Sequence, residues 1–397
     1  MNSARSMFRP CLKVQSGRIW LWWAMILLGA IVPFDASALT PEGAWTGFGD
    51  NTSLAPDGQV YALIELGGNL YAAGNFTHVG SVAASHVARW DGASWNSLGG
   101  GVDDVARALA TNGTDLYVAG DFFNADGSPA RRIAKWDGSS WSALDAGVGS
   151  GVGGSFVSAL AVFNGKLYAA GSFNQAGGVF PLKNMAAWDL TAHTWADVGG
   201  GTGNTASAMA VYNGVLYVGG QFTQAAGTTL TAKFIAAWDG ANWSAVSGGM
   251  DGQVNALAVL DDTLFAGGGF THANGTATLV EHVARFTGSW SALGSGMSAG
   301  SGDAVNAIAS VGNDLYVAGK FTSAGGVTAN NVAHWNGAWT SAGSGAENGI
   351  NGTGSALAAA GGALYVGGLF TQAGSQTSGN LALWRSDSVF ASGFEAP

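Results

Sequence analysis

Cysteine is all but missing from this sequence: one residue in 397, Cys11, which stands ahead of an apolar run near the amino terminus. A single thiol allows no intrachain disulfide, and beyond residue 38 the chain has no thiolate for catalysis or for metal binding. Charge is scarce too, at 10%, and cations are the scarcer sign, with 15 Lys and Arg against 25 Asp and Glu and a net charge of −10. A phosphate backbone or an anionic membrane surface needs a basic face, so neither nucleic acid nor anionic membrane is expected as a partner. Long apolar runs are absent as well. The longest, residues 19–32, has 14 residues, against the roughly 20 that a membrane-spanning helix requires.

That run follows Arg5, Arg9, Lys13 and Arg18 and precedes the small residues Ala36, Ser37 and Ala38. This order is that of a secretory signal peptide over residues 1–38, cleaved before Leu39; a signal anchor is the alternative. Cleavage removes Cys11 and leaves 11 Lys and Arg against 24 Asp and Glu, a net charge of −13. The expected compartment is extracellular or periplasmic, with no membrane span after cleavage. The 65 glycines alone would suit a disordered linker, but regularly placed aromatics argue against that, because disordered chains lack such apolar anchors.

What the chain does have is repetition. The stretch LYVGGQFT at 216–223 returns as LYAAGNFT at Leu70, LYVAGDFF at Leu116, LYAAGSFN at Leu167, LFAGGGFT at Leu264, LYVAGKFT at Leu315 and LYVGGLFT at Leu364. Its glycines, Gly74, Gly120, Gly171, Gly220, Gly268, Gly319 and Gly368, are 46 to 51 residues apart, a period that fits a four-stranded propeller blade rather than a helical repeat. Eleven residues before each glycine stands Leu63, Leu109, Leu160, Met209, Leu257, Ile308 or Leu357, each preceded by alanine; this is read as the innermost strand. Pairs such as Asn164-Gly165 and Asn213-Gly214 then read as two-residue hairpin turns into the LYVGG strand. A third strand of the VARW type (87–90, 133–136, 185–188, 235–238, 283–286, 332–335, 381–384) and a fourth that opens on tryptophan complete the unit.

The expected fold is all-β: a seven-bladed propeller of four-stranded antiparallel blades over residues 39–386, with a tail at 387–397. The seventh unit lacks its tryptophan strand, whereas residues 43–49 (GAWTGFG) align with Ser94, Trp95 and the residues to Gly99. Residues 45–49 are therefore expected beside 381–384, completing the last blade and leaving no open edge. Of 16 tryptophans, 13 lie beyond residue 38, and the repeat places all of them: Trp45, Trp95, Trp141, Trp195, Trp243, Trp290 and Trp339 open outer strands, and Trp90, Trp136, Trp188, Trp238, Trp335 and Trp384 end third strands, with Phe286 in the seventh place. They are read as core rather than as sugar platforms.

The double glycine after the tyrosine strand, the downstream tryptophan strand and the segment WDLTAHTW at 188–195 make residues 45–384 resemble the kelch type of β-propeller, in a glycine-rich variant. The FTxAGG form is also similar to extracellular repeat domains of cell-surface polarity proteins. The tail SVFASGFEAP resembles short terminal segments of exported proteins of some Gram-negative bacteria. The kelch resemblance implies architecture and is nearly silent on function, since propellers serve many roles and kelch-like ones include sugar epimerases and copper oxidases. A copper oxidase with a tyrosine–cysteine cross-link needs a cysteine that the mature chain lacks.

Site candidates come from positions that vary within the repeat. The residue before the motif phenylalanine is Asn75, Asp121, Ser172, Gln221, Gly269, Lys320 or Leu369, changing chemistry while its neighbours do not. Asn75, Asp121, Gln221 and Lys320 are the ligand-binding candidates, on the face where connection lengths vary; an unconstrained loop position is the competing reading. Asp103, Asp104, Asp251 and Asp303, near the starts of innermost strands, are expected to gather at the mouth of the channel, where they would suit Ca2+. No cofactor is otherwise implied. His78, His86, His193, His272, His282 and His334 are spread over the repeats without zinc spacing, and no nucleophile elbow or phosphate loop stands in its required setting. The expected function is a secreted, monomeric, non-catalytic propeller that binds a glycan or a cell-surface protein. The alternative is an extracytoplasmic sugar-active enzyme of the epimerase kind.

Overall fold

The computed structural model describes residues 43–49, 53–149, 154–298 and 304–386. The signal-peptide reading of 1–38, Asp303 and the tail 387–397 lie outside them. The described residues form antiparallel β-sheets, with only single-turn 3-10 helices such as Ala226–Thr228 between them. Among them no helix is long and apolar enough to cross a membrane.

Among the described residues seven sheets have four strands each. The first runs Val60–Leu66, Asn69–Gly74, Val87–Trp90 and Trp95–Ser97, each strand paired with the one before it. The innermost strands of the others are Ala106–Thr111, Phe156–Phe163, Ala206–Tyr212, Val254–Leu260, Ala304–Val311 and Thr353–Ala360. Each packs against the next in chain order, and Thr353–Ala360 packs against Val60–Leu66. This radial arrangement of antiparallel blades is a β-propeller. In the seventh sheet Gly43–Gly47 pairs with Leu381–Ser386, with Trp45 opposite Trp384 and Gly47 opposite Ala382.

The hairpins between first and second strands have the expected chemistry. Asn164 and Gly165 sit at φ +48° and +70°, and Asn213 and Gly214 at +48° and +73°, the left-handed pair that matches strand twist. The motif glycine has a different cause. Every innermost strand carries a bulge one residue before its alanine, as between Val60 and Ala62 or Ala206 and Ala208. The bulge drives the innermost backbone toward the second strand, so a Cβ on Gly74 would overlap the carbonyl oxygen of Gln59, and one on Gly220 that of Thr205. The preceding small residue packs against the next blade: a Cβ on Gly219 would strike Val254, one on Gly267 Val305, and one on Gly367 Val60. Glycine and alanine in the second strand thus set the distance between blades.

The aromatic pairs lie across the last two strands of each sheet. Trp90 and Trp95 have ring centres 5.3 Å apart, Trp188 and Trp195 5.4 Å, and Phe286 and Trp290 4.9 Å. Ten of the thirteen tryptophans are buried, and Trp141, Trp243 and Trp335 are half-buried, each packed against a cluster of buried apolar residues. Trp335 ends a third strand, whereas Trp141 and Trp243 open outer strands, which lie at the rim, where fewer neighbours cover them. Their indoles also bridge blades. Trp141 donates to the Leu98 carbonyl at 2.6 Å, Trp195 to Leu144 at 3.0 Å, Trp243 to Val198 at 2.8 Å and Trp339 to Leu293 at 2.7 Å, each acceptor lying just past the outer strand of the preceding sheet.

Candidate functional site

The bulge builds the site. It places one residue per blade outside the ladder, beside the innermost strands of its neighbours: Tyr61, Arg107, Ser158, Ser207, Asn255, Asn306 and Ser355. Every one is polar or carries a polar tip, and every one is half-buried. A second tier lies at the end of the axis where innermost strands begin. There Asn75, Asp121, Gln221 and Gly269 donate their backbone N–H groups to Gln59, Val105, Thr205 and Gln253 at 2.9–3.0 Å, and Lys320 pairs with Ala304.

The two tiers are linked across blades. Gln221 donates to Gln253 Oε1 at 2.7 Å, Gln253 donates to Asn255, Asn255 to Asn306 Oδ1 at 3.2 Å, and Asn306 to the Gly354 carbonyl at 3.1 Å. Gln59 closes the step from the seventh sheet to the first by donating to Ser355 Oγ at 3.0 Å. On the opposite arc, Arg107 grips Asp121 with two hydrogen bonds, Nε to Oδ1 at 2.9 Å and a terminal nitrogen to Oδ2 at 2.7 Å. Its guanidinium lies 5.6 Å from the ring centre of Tyr61 and 5.5 Å from that of Phe156, on the sheets either side. Hydrogen bonding to Asp121 holds Arg107 above its ordinary pKa against the opposing effect of burial, so it is a fixed cation at this mouth.

Of the sequence candidates, Asp121 and Gln221 belong to these networks, while Asn75 and Lys320 are exposed on the same mouth. The bulged column is not among those candidates. Its signal in the sequence is a run of polar residues immediately before alanine in an otherwise apolar strand.

The acids behave differently from expectation. Asp103 accepts from the N–H groups of Phe123 and Asn124 at 2.8 and 2.9 Å and from the Asn124 amide at 2.6 Å. Asp251 accepts from the N–H groups of Thr271 and His272 at 2.8 and 2.9 Å and from the Thr271 hydroxyl at 2.8 Å. Asp57 does the same for Thr77 and His78, while Asp104 caps the adjacent Val105. Each of Asp57, Asp103 and Asp251 clasps a turn 20 residues on in its own blade rather than gathering at the channel. Among the described residues no three His, Asp or Glu side chains come close enough to hold a metal ion.

Burial opposes ionisation of Asp57, Asp103 and Asp251, but the converging donors outweigh it, and all three pKa values fall below the ordinary 3.8. The clasps therefore contribute stability that is present above about pH 4 and lost as pH falls through the lowered folded values. The melting temperature is expected to drop steadily from about pH 5 to pH 2, and less steeply in Asp251→Asn. The last sheet already uses asparagine here: Asn351 accepts from the N–H groups of Thr371 and Gln372. Identical acid limbs in wild type and variant would contradict the assignment.

No protein-family model matches this sequence, and no curated protein matches it. Solved structures do. The extracellular domain of the putative hybrid two component system BT4673 from B. thetaiotaomicron has a TM-score of 0.53 at 12% identity, over 86% of this chain and 39% of that one. The present chain thus spans about two fifths of that domain. The WD40 beta propeller domain of Doa1 has a TM-score of 0.51 at 12% identity, over 86% of this chain and 96% of that one. At such identities the likeness concerns backbone shape alone, and what this chain shares with them is the β-propeller fold.

Proposed function

We propose that this chain is an exported, monomeric, non-catalytic propeller of the kelch type, with seven blades closed by Gly43–Gly47, that binds a glycan or a cell-surface protein at the mouth of its axis. The observation that carries the reading is the double tier of polar side chains at that mouth, with Arg107 held between Tyr61 and Phe156. A cross-braced set of amides, one fixed cation and two aromatic rings offers directional donors and acceptors at little ordering cost. Export is supported by the signal-peptide pattern and by the extracellular setting of the BT4673 domains that share the fold. Binding is favoured over epimerase chemistry because Asp121, an acid of this mouth, has both oxygens engaged by Arg107 and so is not free to serve as a base.

The test is a binding screen of the mature protein against a glycan array and surface extracts, repeated with Gln221→Ala/Lys320→Ala and with Arg107→Met. The first variant changes only exposed side chains and is expected to fold normally. Both should weaken binding about tenfold or more, the loss of about 1.4 kcal/mol. A ligand that binds wild type and both variants equally would place the site elsewhere.

A further inference from the structure

The seven copies of the unit provide an internal control: a residue that departs from its own column for no reason of packing is a candidate for a separate task. Two such departures meet an ion pair in one place, between the second and third sheets. The turn from Trp188 to Trp195, DLTAHT, has six residues where the other sheets use three or four, and its extra length raises Leu190 and His193 into a wall. Asp145 stands at φ +52° in a column that otherwise reads Gly49, Gly99, Gly199, Ser247, Gly294 and Gly343, so a carboxylate occupies a left-handed position where glycine would be unstrained. Lys135, on the third strand of the second sheet, and Asp115, just ahead of its second strand, form an ion pair at 3.4 Å. The sixth sheet has a comparable pair, His334 and Asp314 at 3.2 Å, but the seventh sheet takes its outer strand from the amino terminus and has no such turn to wall it in.

Together these residues enclose a groove of about 480 Å³, within the usual range for a small-ligand site of about 300–1,000 Å³. Its polar groups differ in kind. Asn112 donates to the Tyr117 hydroxyl at 3.2 Å and to Asp115 at 3.4 Å while its Oδ1 accepts from the N–H groups of Thr114 and Asp115, so the amide braces the wall and leaves phenol, two carboxylates and one ammonium at one space. On one side His193 stacks on Trp188, with ring centres 6.0 Å apart and planes 22° from parallel, and presents a flat exposed face beside Leu190.

We propose that this groove is a second binding site, separate from the axial mouth, for one or two rings of a neutral saccharide. Charge decides the class. Asp115 and Asp145 repel an anion, and Lys135 disfavours a simple cation. Sugar hydroxyls both donate and accept, so they match carboxylates, phenol and ammonium together, and the apolar face of a pyranose fits the His193–Leu190 wall.

The experiment is calorimetric titration of the mature protein with cellotetraose, maltotetraose, xylotetraose and chitotetraose. It is repeated with Asp115→Asn and with a turn swap that replaces residues 189–194 by the Asp-Gly-Ala-Asn of residues 239–242. The swap restores the repeat's own turn, and Asp115→Asn keeps side-chain size, so at least one variant will fold. At least one oligosaccharide is expected to bind in the sub-millimolar range, and both variants should weaken it about tenfold or more, whereas Gln221→Ala/Lys320→Ala at the mouth leaves it unchanged. The proposal is overturned if no oligosaccharide binds at about 10 mM, if the groove variants bind as wild type does, or if only the mouth variant loses binding.

Discussion

Trp45→Ala should be among the most destabilising single substitutions in this chain, at about 3–5 kcal/mol. Its indole is buried, packs on Trp384 with ring centres 5.1 Å apart, and donates to the carbonyls of Ala342 and Glu347 at 3.0 Å each. Truncation to alanine would empty that volume and leave two acceptors without their donor. It would also weaken the pairing between the two ends of the chain, Gly43–Gly47 against Leu381–Ser386. Deleting residues 39–50 goes further, because it exposes the edge of Leu381–Ser386 to water and to other chains. Thermal melts are expected to show a fall of roughly 5–10 °C for Trp45→Ala, at about 2 °C or more for each kcal/mol in a body of this size. Trp243→Ala, at a half-buried indole, should cost less. A deletion of 39–50 that melts like wild type would show that the amino-terminal strand is ornamental and the fold is held elsewhere.

The pairing of the two ends is legible in the amino-acid sequence, because the missing tryptophan strand at one end and the surplus one at the other are both patterns of residue type. Hairpin turns are legible for a similar reason: Asn164-Gly165 and Asn213-Gly214 declare their backbone angles through residue type. Other features are hidden because they arise between segments. Strand alternation has period 2, and an inserted bulge residue only shifts its phase, so Arg107 and Asn255 read as ordinary positions inside an innermost strand rather than as residues aimed across the axis. Asp103 and Asp251 show that proximity to the start of an innermost strand is not proximity to the channel, since their partners are turn N–H groups 20 residues on. The groove at Asp145 exists only where two blades lie side by side, and no single repeat contains it.

The bulge also supplies the second large effect. Gly220→Ala is expected to destabilise by about 3 kcal/mol, although it adds one methyl group at a position without a positive φ. The cause is space. A Cβ there would overlap the Thr205 carbonyl and crowd the Ala206 Cα, both backbone atoms on the innermost strand, so relief requires the bulge itself to move. Moving it would disturb the Gln221 N–H to Thr205 carbonyl bond, 2.9 Å long, and with it the mouth that Gln221 helps to form. Gly214→Ala is the matched control: it sits at φ +73° with no atom within 4 Å of an added Cβ, so it would feel backbone strain alone, about 1 kcal/mol. Chemical denaturation of the two variants should therefore rank Gly220→Ala well below Gly214→Ala in stability, and ligand binding at the mouth should suffer only in the former. If the order were reversed, the motif glycine would be serving backbone freedom rather than close approach, and the bulge would lose its role as the element that shapes the mouth.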